Sequence, residues 1–316
     1  MAIGYSSPST LAQLFEAMAA MPSHHLFAGG TDLLVRKGRG MITVQNIINM
    51  LNVSEMQGIT ESGSVLDLGA LATHTAIASH PSVHRWAGAL AQASLQVGSL
   101  QIRNIGTLGG NMCNASPAAD TATPLLVHDA VVVASRGLPV SERHIPIREF
   151  FTGPGRTSLQ PGEVVTRVHI PLTCSHVGTG SAFIKLAKRK ALAISVINGS
   201  AWVAIAGGSS PCIAEARIAL GAVAPTPIRL SAVEEWLRDR PLTQEVFAEA
   251  GRRAKALIKP ISDIRSSAQY RLETSAVLVS RLLADAVEAA HACVAKEEPP
   301  ARPRSRRGKK TKENSL

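Results

Sequence analysis

The spacing of apolar residues along the first half of the chain predicts short helices and strands in alternation. Leu11, Leu14, Phe15 and Met18 recur at i, i+3, i+4 and i+7, which predicts a helix over residues 9–20 with one apolar stripe. Alternating or short continuous apolar runs predict strands, and longer amphipathic stretches predict helices. The further predicted strands include residues 43–50, 65–73, 130–135, 141–147 and 163–172, and the further predicted helices are 73–79, 83–96 and 121–128.

The pattern changes after Pro171, where apolar strands give way to amphipathic helices. Strands at 181–189, 194–205 and 213–223 are predicted to form a three-stranded antiparallel sheet, followed by helices at 228–240, 243–258 and 270–295. A run of strands before a run of helices is typical of an α+β domain. We expect a linker near residues 172–180, and the Pro-, Arg- and Lys-rich composition beyond Ala295 predicts a disordered tail.

Composition and charge narrow the class of protein. A chain of 316 residues with 45% hydrophobic residues supports two or three folded domains, and 3% aromatic residues argue against a surface that stacks nucleic-acid bases. Residues 299–316 carry +6 of the net charge of +10, so the body of the protein is nearly neutral. The four cysteines form no Cys-x-x-Cys pair, which predicts neither an iron–sulfur cluster nor a zinc site. Because no basic leader and no membrane-length apolar run is visible, we expect a cytoplasmic protein.

A double glycine follows a short apolar run within residues 25–36. Gly29 and Gly30 can turn tightly and let backbone N–H groups approach a phosphate closely. Thr31 and Asp32 are predicted to open a helix, with the Asp32 carboxylate capping backbone groups. Taken alone, this segment is better interpreted as a plain β–α turn, because it matches neither the dinucleotide fingerprint nor the P-loop.

A second glycine-rich segment lies within residues 98–120, which we predict to be an ordered, largely covered loop. Its part at 103–120 combines three glycines with neutral hydrogen-bonding side chains and one carboxylate, Asp120. A long ligand that bears a diphosphate needs these groups, whereas a connecting loop that only satisfies its own backbone does not. Two loops of this kind, from separate β–α units, could hold the two ends of one diphosphate.

Three segments in this order resemble a known family. They are AGGTDLL at 28–34, RNIGTLGGNMCNASPAAD at 103–120 and KLAKRKALAI at 185–194. Together they resemble the FAD-binding medium subunit of molybdenum hydroxylases, which include carbon monoxide dehydrogenase and xanthine dehydrogenase. The resemblance implies an α+β chain with a two-subdomain FAD-binding domain of the vanillyl-alcohol-oxidase type followed by an α+β C-terminal flavoprotein domain. The implied bounds are 1–175 for the FAD-binding domain (subdomains about 1–55 and 56–175), 179–290 for the C-terminal domain and 296–316 for the disordered basic tail.

The resemblance also implies a set of cofactor contacts. The first glycine segment and part of the second would hold the FAD diphosphate, Val97 would lie near the adenine, and Val165 would pack on the cofactor. Lys185 would approach the isoalloxazine, where a cation could stabilise the anionic reduced flavin. The implied residues are Leu26, Phe27, Ala28, Gly29, Gly30, Thr31, Asp32, Leu33, Val97, Thr107, Gly109, Gly110, Asn111, Cys113, Ser116, Asp120, Val165 and Lys185.

The function implied by the resemblance is electron transfer within an oxidoreductase complex. A large molybdopterin-binding subunit would hydroxylate the substrate, and a small [2Fe–2S] subunit would pass the electrons to FAD in this chain, then to NAD or another acceptor. This chain is expected to hold no metal and no catalytic acid–base pair, since the flavin carries the chemistry. Two other hypotheses are a stand-alone flavin oxidoreductase of the same fold with its own substrate site, and a nucleic-acid-binding protein that uses the basic tail. The second of these is disfavoured because the body lacks a basic stripe and aromatic platforms.

Overall fold

The computed structural model describes residues 4–172, 178–189, 191–208 and 210–297. Its first part is a parallel three-stranded sheet with the strand order β1-β3-β2. The elements are β1 (Gly4–Ser6), α1 (Leu11–Ala20), β2 (His24–Phe27), α2 (Leu33–Gly38) and β3 (Asn46–Asn49). The Thr10 hydroxyl accepts the N–H of Gln13 and caps α1, while Leu14 and Phe15 of α1 share one hydrophobic core with Ile48 of β3. The apolar stripe predicted for this helix is therefore its buried face.

The second part is an antiparallel five-stranded sheet with the strand order β4-β5-β10-β6-β7. Its strands are β4 (Ile59–Ser62), β5 (Val65–Gly69), β6 (Val131–Arg136), β7 (Ser141–Pro146) and β10 (Val164–Pro171), and β8 (Phe151–Gly153) pairs with β9 (Arg156–Thr157) beside it. The helices are α3 (His74–Ser79), α4 (Pro81–Trp86), α5 (Gly88–Leu95), α6 (Leu100–Ile105), α7 (Leu108–Asn114), α8 (Ala122–Val127) and α9 (Ile147–Phe150). Leu68, Val132 and Val168 lie on the inner face and are completely buried, as strand alternation requires.

The segment predicted to be a covered loop over residues 98–120 contains α6 and α7, so that prediction is wrong. The Ser99 hydroxyl accepts the N–H of Ile102 at the start of α6, and the Thr107 hydroxyl accepts the N–H of Gly110 at the start of α7. Serine and threonine favour both turns and helix N-caps, because their hydroxyls bond nearby backbone groups. The polar composition that indicated a loop therefore marks two helix starts.

The C-terminal part is an antiparallel sheet of four strands, not three, with helices packed on it. The elements are β11 (Thr179–Leu186), β12 (Ile197–Ala206), β13 (Cys212–Gly221), β14 (Ile228–Arg229), α10 (Ser231–Leu237), α11 (Gln244–Ala254) and α12 (Ala268–Glu297). The fourth strand β14 pairs with β13 through Ala219 and Leu220, and the helix predicted from residue 228 begins only at Ser231. A Cβ on Gly180 of β11 would come within 2.2 Å of backbone atoms of α12, so this helix packs directly on the sheet.

Two predictions fall wholly or partly outside the described residues. Residues 173–177 of the predicted linker and residues 298–316 of the predicted tail are not described, and α12 continues through Glu297. Across the described ranges, no helix combines the length and the apolar character needed to cross a membrane.

Candidate functional site

A cavity of about 700 Å³ lies between the three-stranded sheet, the five-stranded sheet and the helices α6 and α7. Its volume is in the range of ligand-binding pockets, about 300–1,000 Å³. Both glycine segments contribute to its wall, together with residues that directly follow β3 and β5 and residues of β10. The lining residues are Leu26, Ala28, Gly29, Gly30, Thr31, Asp32, Leu33, Arg36, Met41, Met50, Met56, Ala70, Leu71, His74, Val97, Ile102, Gly106, Thr107, Gly109, Gly110, Asn111, Cys113, Asn114, Gly155, Leu159, Glu163, Val164 and Val165.

The two glycine segments touch each other through their backbones. A Cβ on Gly29 would lie 1.9 Å from the carbonyl oxygen of Ile105 and 3.0 Å from the Cα of Gly106. Gly30 has a φ of +68°, and a Cβ there would also meet the ring of Phe27 at 2.5 Å. Segments separated by about seventy residues in the sequence therefore meet at one edge of the cavity, and Gly29 has no room for a side chain.

The second segment is fixed to the end of β5 by backbone hydrogen bonds. The N–H of Gly109 donates to the carbonyl of Ala70 (2.8 Å), and the N–H of His74 donates to the carbonyl of Gly106 (3.1 Å). A Cβ on Gly109 would press on Ala70 at 2.8 Å, whereas a Cβ on Gly110 would meet only the Thr107 hydroxyl, at 2.9 Å. Gly109 is thus required by packing against the backbone and side chain of Ala70, while at Gly110 only the Thr107 hydroxyl would have to shift.

Charged groups in the cavity wall are paired with opposite charges, within the wall or next to it. The Asp32 carboxylate makes no capping hydrogen bond, contrary to the prediction, and instead lies 3.8 Å from the guanidinium of Arg36 one turn later. Arg143 donates two hydrogen bonds to Glu163, at 2.8 and 2.6 Å, and holds the pKa of that carboxyl below its ordinary value. The described residues contain no group of three or more His, Cys, Asp or Glu side chains that could hold a metal ion.

His74 is a cavity residue that sequence reasoning did not identify. It is 2% exposed, and its Nδ1 is buried with no hydrogen-bond partner among the described residues. Burial, and then the nearby charge of Arg103, lower the pKa of His74 to about 4, so the imidazole is neutral at pH 7. A single histidine at the start of a short helix has no sequence pattern that would distinguish it from an ordinary core residue.

Four of the residues implied by the resemblance do not line the cavity. The Phe27 ring lies where a Cβ on Gly30 would be, and the Ser116 hydroxyl accepts the N–H of Ala118 at 3.3 Å. Asp120 and Lys185 are bonded to each other, with Nζ 2.6 Å from Oδ2. The other fourteen residues all lie in the cavity wall.

Comparison with known proteins assigns the chain to a family. Residues 1–173 match the model of the FAD binding domain in molybdopterin dehydrogenase, and residues 182–286 match that of the CO dehydrogenase flavoprotein C-terminal domain. The chain is 34% identical over 288 residues to the xanthine dehydrogenase FAD-binding subunit of Escherichia coli O157:H7, which covers 90% of this chain and 96% of that one.

Solved structures agree with these matches. Carbon monoxide dehydrogenase from Hydrogenophaga pseudoflava superposes with a TM-score of 0.83 at 28% identity, over 92% of this chain and 98% of that one. Quinoline 2-oxidoreductase from Pseudomonas putida 86 gives a TM-score of 0.84 at 26% identity, over 93% and 99% of the two chains. These matches confirm the resemblance drawn from the sequence and the placement among FAD-dependent oxidoreductases. They also confirm the predicted fold class, apart from the number of strands in the C-terminal sheet. The chain belongs to the family of FAD-binding medium subunits of molybdenum hydroxylases.

Proposed function

We propose that this chain binds one FAD in the cavity and serves as the electron-transfer subunit of a molybdenum-containing hydroxylase in the cytoplasm. A large molybdopterin-binding subunit oxidises the substrate, a small [2Fe–2S] subunit passes the electrons to this chain, and an acceptor such as NAD receives them. The observation that carries the proposal is the contact of Gly29 with Ile105 and Gly106, through which both glycine segments border one cavity.

The chemistry of the glycine segments fits a diphosphate. Backbone N–H groups approach a phosphate closely where no Cβ intervenes, and the space beside Gly110 permits such an approach. The carboxylate of Asp32 is partly compensated by Arg36, which reduces its repulsion of an anion. The proposed contacts are the implied residues that also line the cavity, namely Leu26, Ala28, Gly29, Gly30, Thr31, Asp32, Leu33, Val97, Thr107, Gly109, Gly110, Asn111, Cys113 and Val165.

FAD, when bound, supplies the redox chemistry, and the residues of this chain bind, orient and shield it. Met50, Met56, Leu71 and Val165 form an apolar part of the wall. Apolar walls exclude water, and a dry site strengthens the polar contacts made elsewhere in the cavity. His74, neutral and without an Nδ1 partner, adds a polar group beside the second glycine segment.

Exposed apolar side chains next to the cavity support docking of the iron–sulfur subunit. The N–H of Leu192 donates to the carbonyl of Gly98 (3.3 Å), which joins the turn after β11 to the segment between α5 and α6. Leu95, Leu100 and Leu192 are each more than half exposed, at 54%, 58% and 56%. Clustered apolar side chains on a surface are typical of protein–protein contacts. Because Val97 lines the cavity, this surface adjoins the wall of the proposed FAD site.

The replacement Gly110→Val tests the proposed cavity. The branched side chain would enter the space assigned to the diphosphate, so we expect a folded protein that has lost its FAD absorption. Gly38→Ala is the matched control, since a Cβ on Gly38 meets nothing within 4 Å, and it should retain FAD. Stoichiometric FAD in the Gly110→Val protein would contradict the proposed site.

Native mass spectrometry separates the two flavoprotein hypotheses. Molybdopterin-binding and [2Fe–2S] subunits that co-purify with this chain would support the electron-transfer subunit. A monomer that oxidises an organic substrate alone would favour the stand-alone oxidoreductase of the same fold.

A further inference from the structure

We propose that Arg217 and Arg229 of the C-terminal sheet are positioning residues for FAD binding, because they hold helix α8, which in turn holds Asn111 in the cavity wall. The inference rests on the proposed function, that is, on FAD as the occupant of the cavity. It makes the FAD site depend on a contact between the two domains.

The first observation is a carboxylate that three arginines share. Asp129 lies two residues after the end of α8, in the left-handed region with a φ of 47°. Arg148 donates to its Oδ1 at 3.1 and 2.8 Å, and Arg229 donates to the same oxygen at 2.9 Å. The guanidinium of Arg217 lies 3.0 Å from Oδ2. Since Arg217 and Arg229 belong to strands β13 and β14, this carboxylate joins the FAD-binding domain to the C-terminal domain.

The second observation is that the same two arginines reach the end of the helix. Nη1 of Arg229 donates to the carbonyl of Leu126 at 2.8 Å, and Nη1 of Arg217 lies 3.5 Å from the carbonyl of Val127. The last carbonyls of a helix lack the N–H groups of a further turn, and arginine side chains can supply donors there. Helix α8 therefore ends against two guanidinium groups of the C-terminal sheet.

The third observation is that both arginines are themselves fixed within the C-terminal domain. Arg229 donates two hydrogen bonds to the carboxylate of Glu234, at 2.6 and 2.7 Å, and its side chain is only 7% exposed. Arg217 donates to Glu215 at 2.7 Å and stacks on the ring of Trp202, with its Cζ 4.4 Å from the ring centroid. Paired guanidinium groups that are held in this way have a defined direction, so they can position what they bind.

The fourth observation is the connection from α8 to the cavity. All six residues of the helix are buried, and the hydroxyl of Ser200 in β12 donates to the hydroxyl of Thr123 at 3.1 Å. At the start of the helix, the hydroxyl of Thr121 donates to Oδ1 of Asn111 at 2.7 Å. Asn111 directly follows Gly110 in the second glycine segment and lines the cavity. A shift of α8 would therefore move a side chain of the cavity wall.

Transmission through α8 predicts a specific pattern of mutant effects. Asp129 lies beyond the last residue of the helix and Thr121 directly before its first residue, so the two are far apart for direct contact. Substitutions at distant, independent sites have additive effects. If the arginines act on FAD through α8, the effect of losing Asp129 disappears once the bond between Thr121 and Asn111 is already absent.

The test is a double-mutant cycle on the full chain, with Asp129→Asn, Thr121→Val and the double variant. Asparagine has the size of aspartate and also adopts the left-handed conformation, so the substitution removes mainly the charge. FAD affinity is measured by fluorescence titration of FAD-free protein, and folding by urea unfolding of the same samples. We expect each single variant to weaken FAD binding at least about fivefold, and the double variant to bind FAD about as weakly as the weaker single variant. Glu249→Gln is the matched control, since Glu249 also pairs with two arginines, Arg252 and Arg253, but all three lie on α11, and it should bind FAD normally.

Two results would overturn the inference. One is wild-type FAD affinity in folded Asp129→Asn protein. The other is a double variant in which the two losses of affinity add up, because Asp129 and Thr121 would then act independently. If Asp129→Asn does not fold, Arg217→Gln takes its place in the cycle, since Arg148 and Arg229 still bind the carboxylate, and the same two results decide. Wild-type protein that binds no FAD would instead refute the proposed function.

Discussion

Replacement of Gly29 by alanine tests whether the contact between the two glycine segments shapes the cavity. The added methyl group would lie 1.9 Å from the carbonyl oxygen of Ile105. Real Cβ atoms essentially never come closer than 3.0 Å to a non-bonded heavy atom, so the two segments must separate by about 1.1 Å. Both partners are backbone, and no flexible side chain is available to move aside.

The expected cost follows from the energetics of overpacking. Inserting a methyl group where no space exists typically costs about 1–3 kcal/mol. If this cost falls on the arrangement of the two segments that binds FAD, the affinity for FAD decreases by about 5- to 150-fold. The free energy of unfolding should decrease by a similar amount, because the contact also joins the parallel sheet to helix α6.

The assay is a fluorescence titration of FAD-free protein with FAD, combined with urea unfolding of the same samples. Gly38→Ala, nine residues later and free of neighbours within 4 Å, is the control and should change neither quantity adversely. Wild-type affinity and stability in Gly29→Ala would refute the contact. A loss in stability without a loss in affinity would show that the contact supports the fold only.

Three further predictions concern stability and the tail. Burial lowers the pKa of His74 to about 4 and of His128 to about 3, from an ordinary value of 6.5. Their stabilising contribution is therefore complete above pH 6.5 and is lost as the pH falls towards these lower values. The urea midpoint of the wild type should decrease as the pH is lowered from 7 to 4.5, and it should decrease less steeply in His74→Gln and His128→Gln. Gly180→Ala should lower the free energy of unfolding by about 1–3 kcal/mol, since its Cβ would collide with α12, whereas Gly207→Ala meets nothing within 4 Å and should not. Deletion of residues 299–316 should leave the FAD content unchanged, as measured by flavin absorption, and loss of the flavin would show that the tail contributes to FAD binding.

Elements with a clear period were predictable from the sequence, and very short elements were not. The strand predicted at 163–172 is β10, whose alternate residues are completely or almost completely buried. By contrast, β14 has two residues, too few to show any alternation, and depends on its pairing with β13. Strand β4 has the burial pattern of an exposed edge, with one partly buried residue, and is held by β5. Pairing partners distant in the sequence decide such elements, so local pattern cannot reveal them.

The two glycine segments of the cavity wall could be predicted from the sequence, whereas the other residues that complete the wall could not. Glycine motifs have a local signature, whereas His74 and the methionines of the wall belong to no recognisable motif. The ion pair of Asp120 with Lys185 joins residues in different domains, 65 positions apart. Both residues were selected by resemblance, but only the three-dimensional arrangement indicates that they bond each other.

The glycines of the two segments serve different purposes, and the difference bears on how the cavity binds its ligand. Gly29 and Gly109 are required because backbone or side-chain atoms of the protein lie where their Cβ atoms would be. At Gly110 only the hydroxyl of Thr107, at 2.9 Å, lies where a Cβ would be, and no backbone atom outside its own helix lies within 4 Å of it. Contacts within the protein therefore bring the two segments together at the edge of the cavity. A site assembled in advance loses little conformational entropy on binding, so the contact at Gly29 contributes to affinity although no ligand atom need touch it.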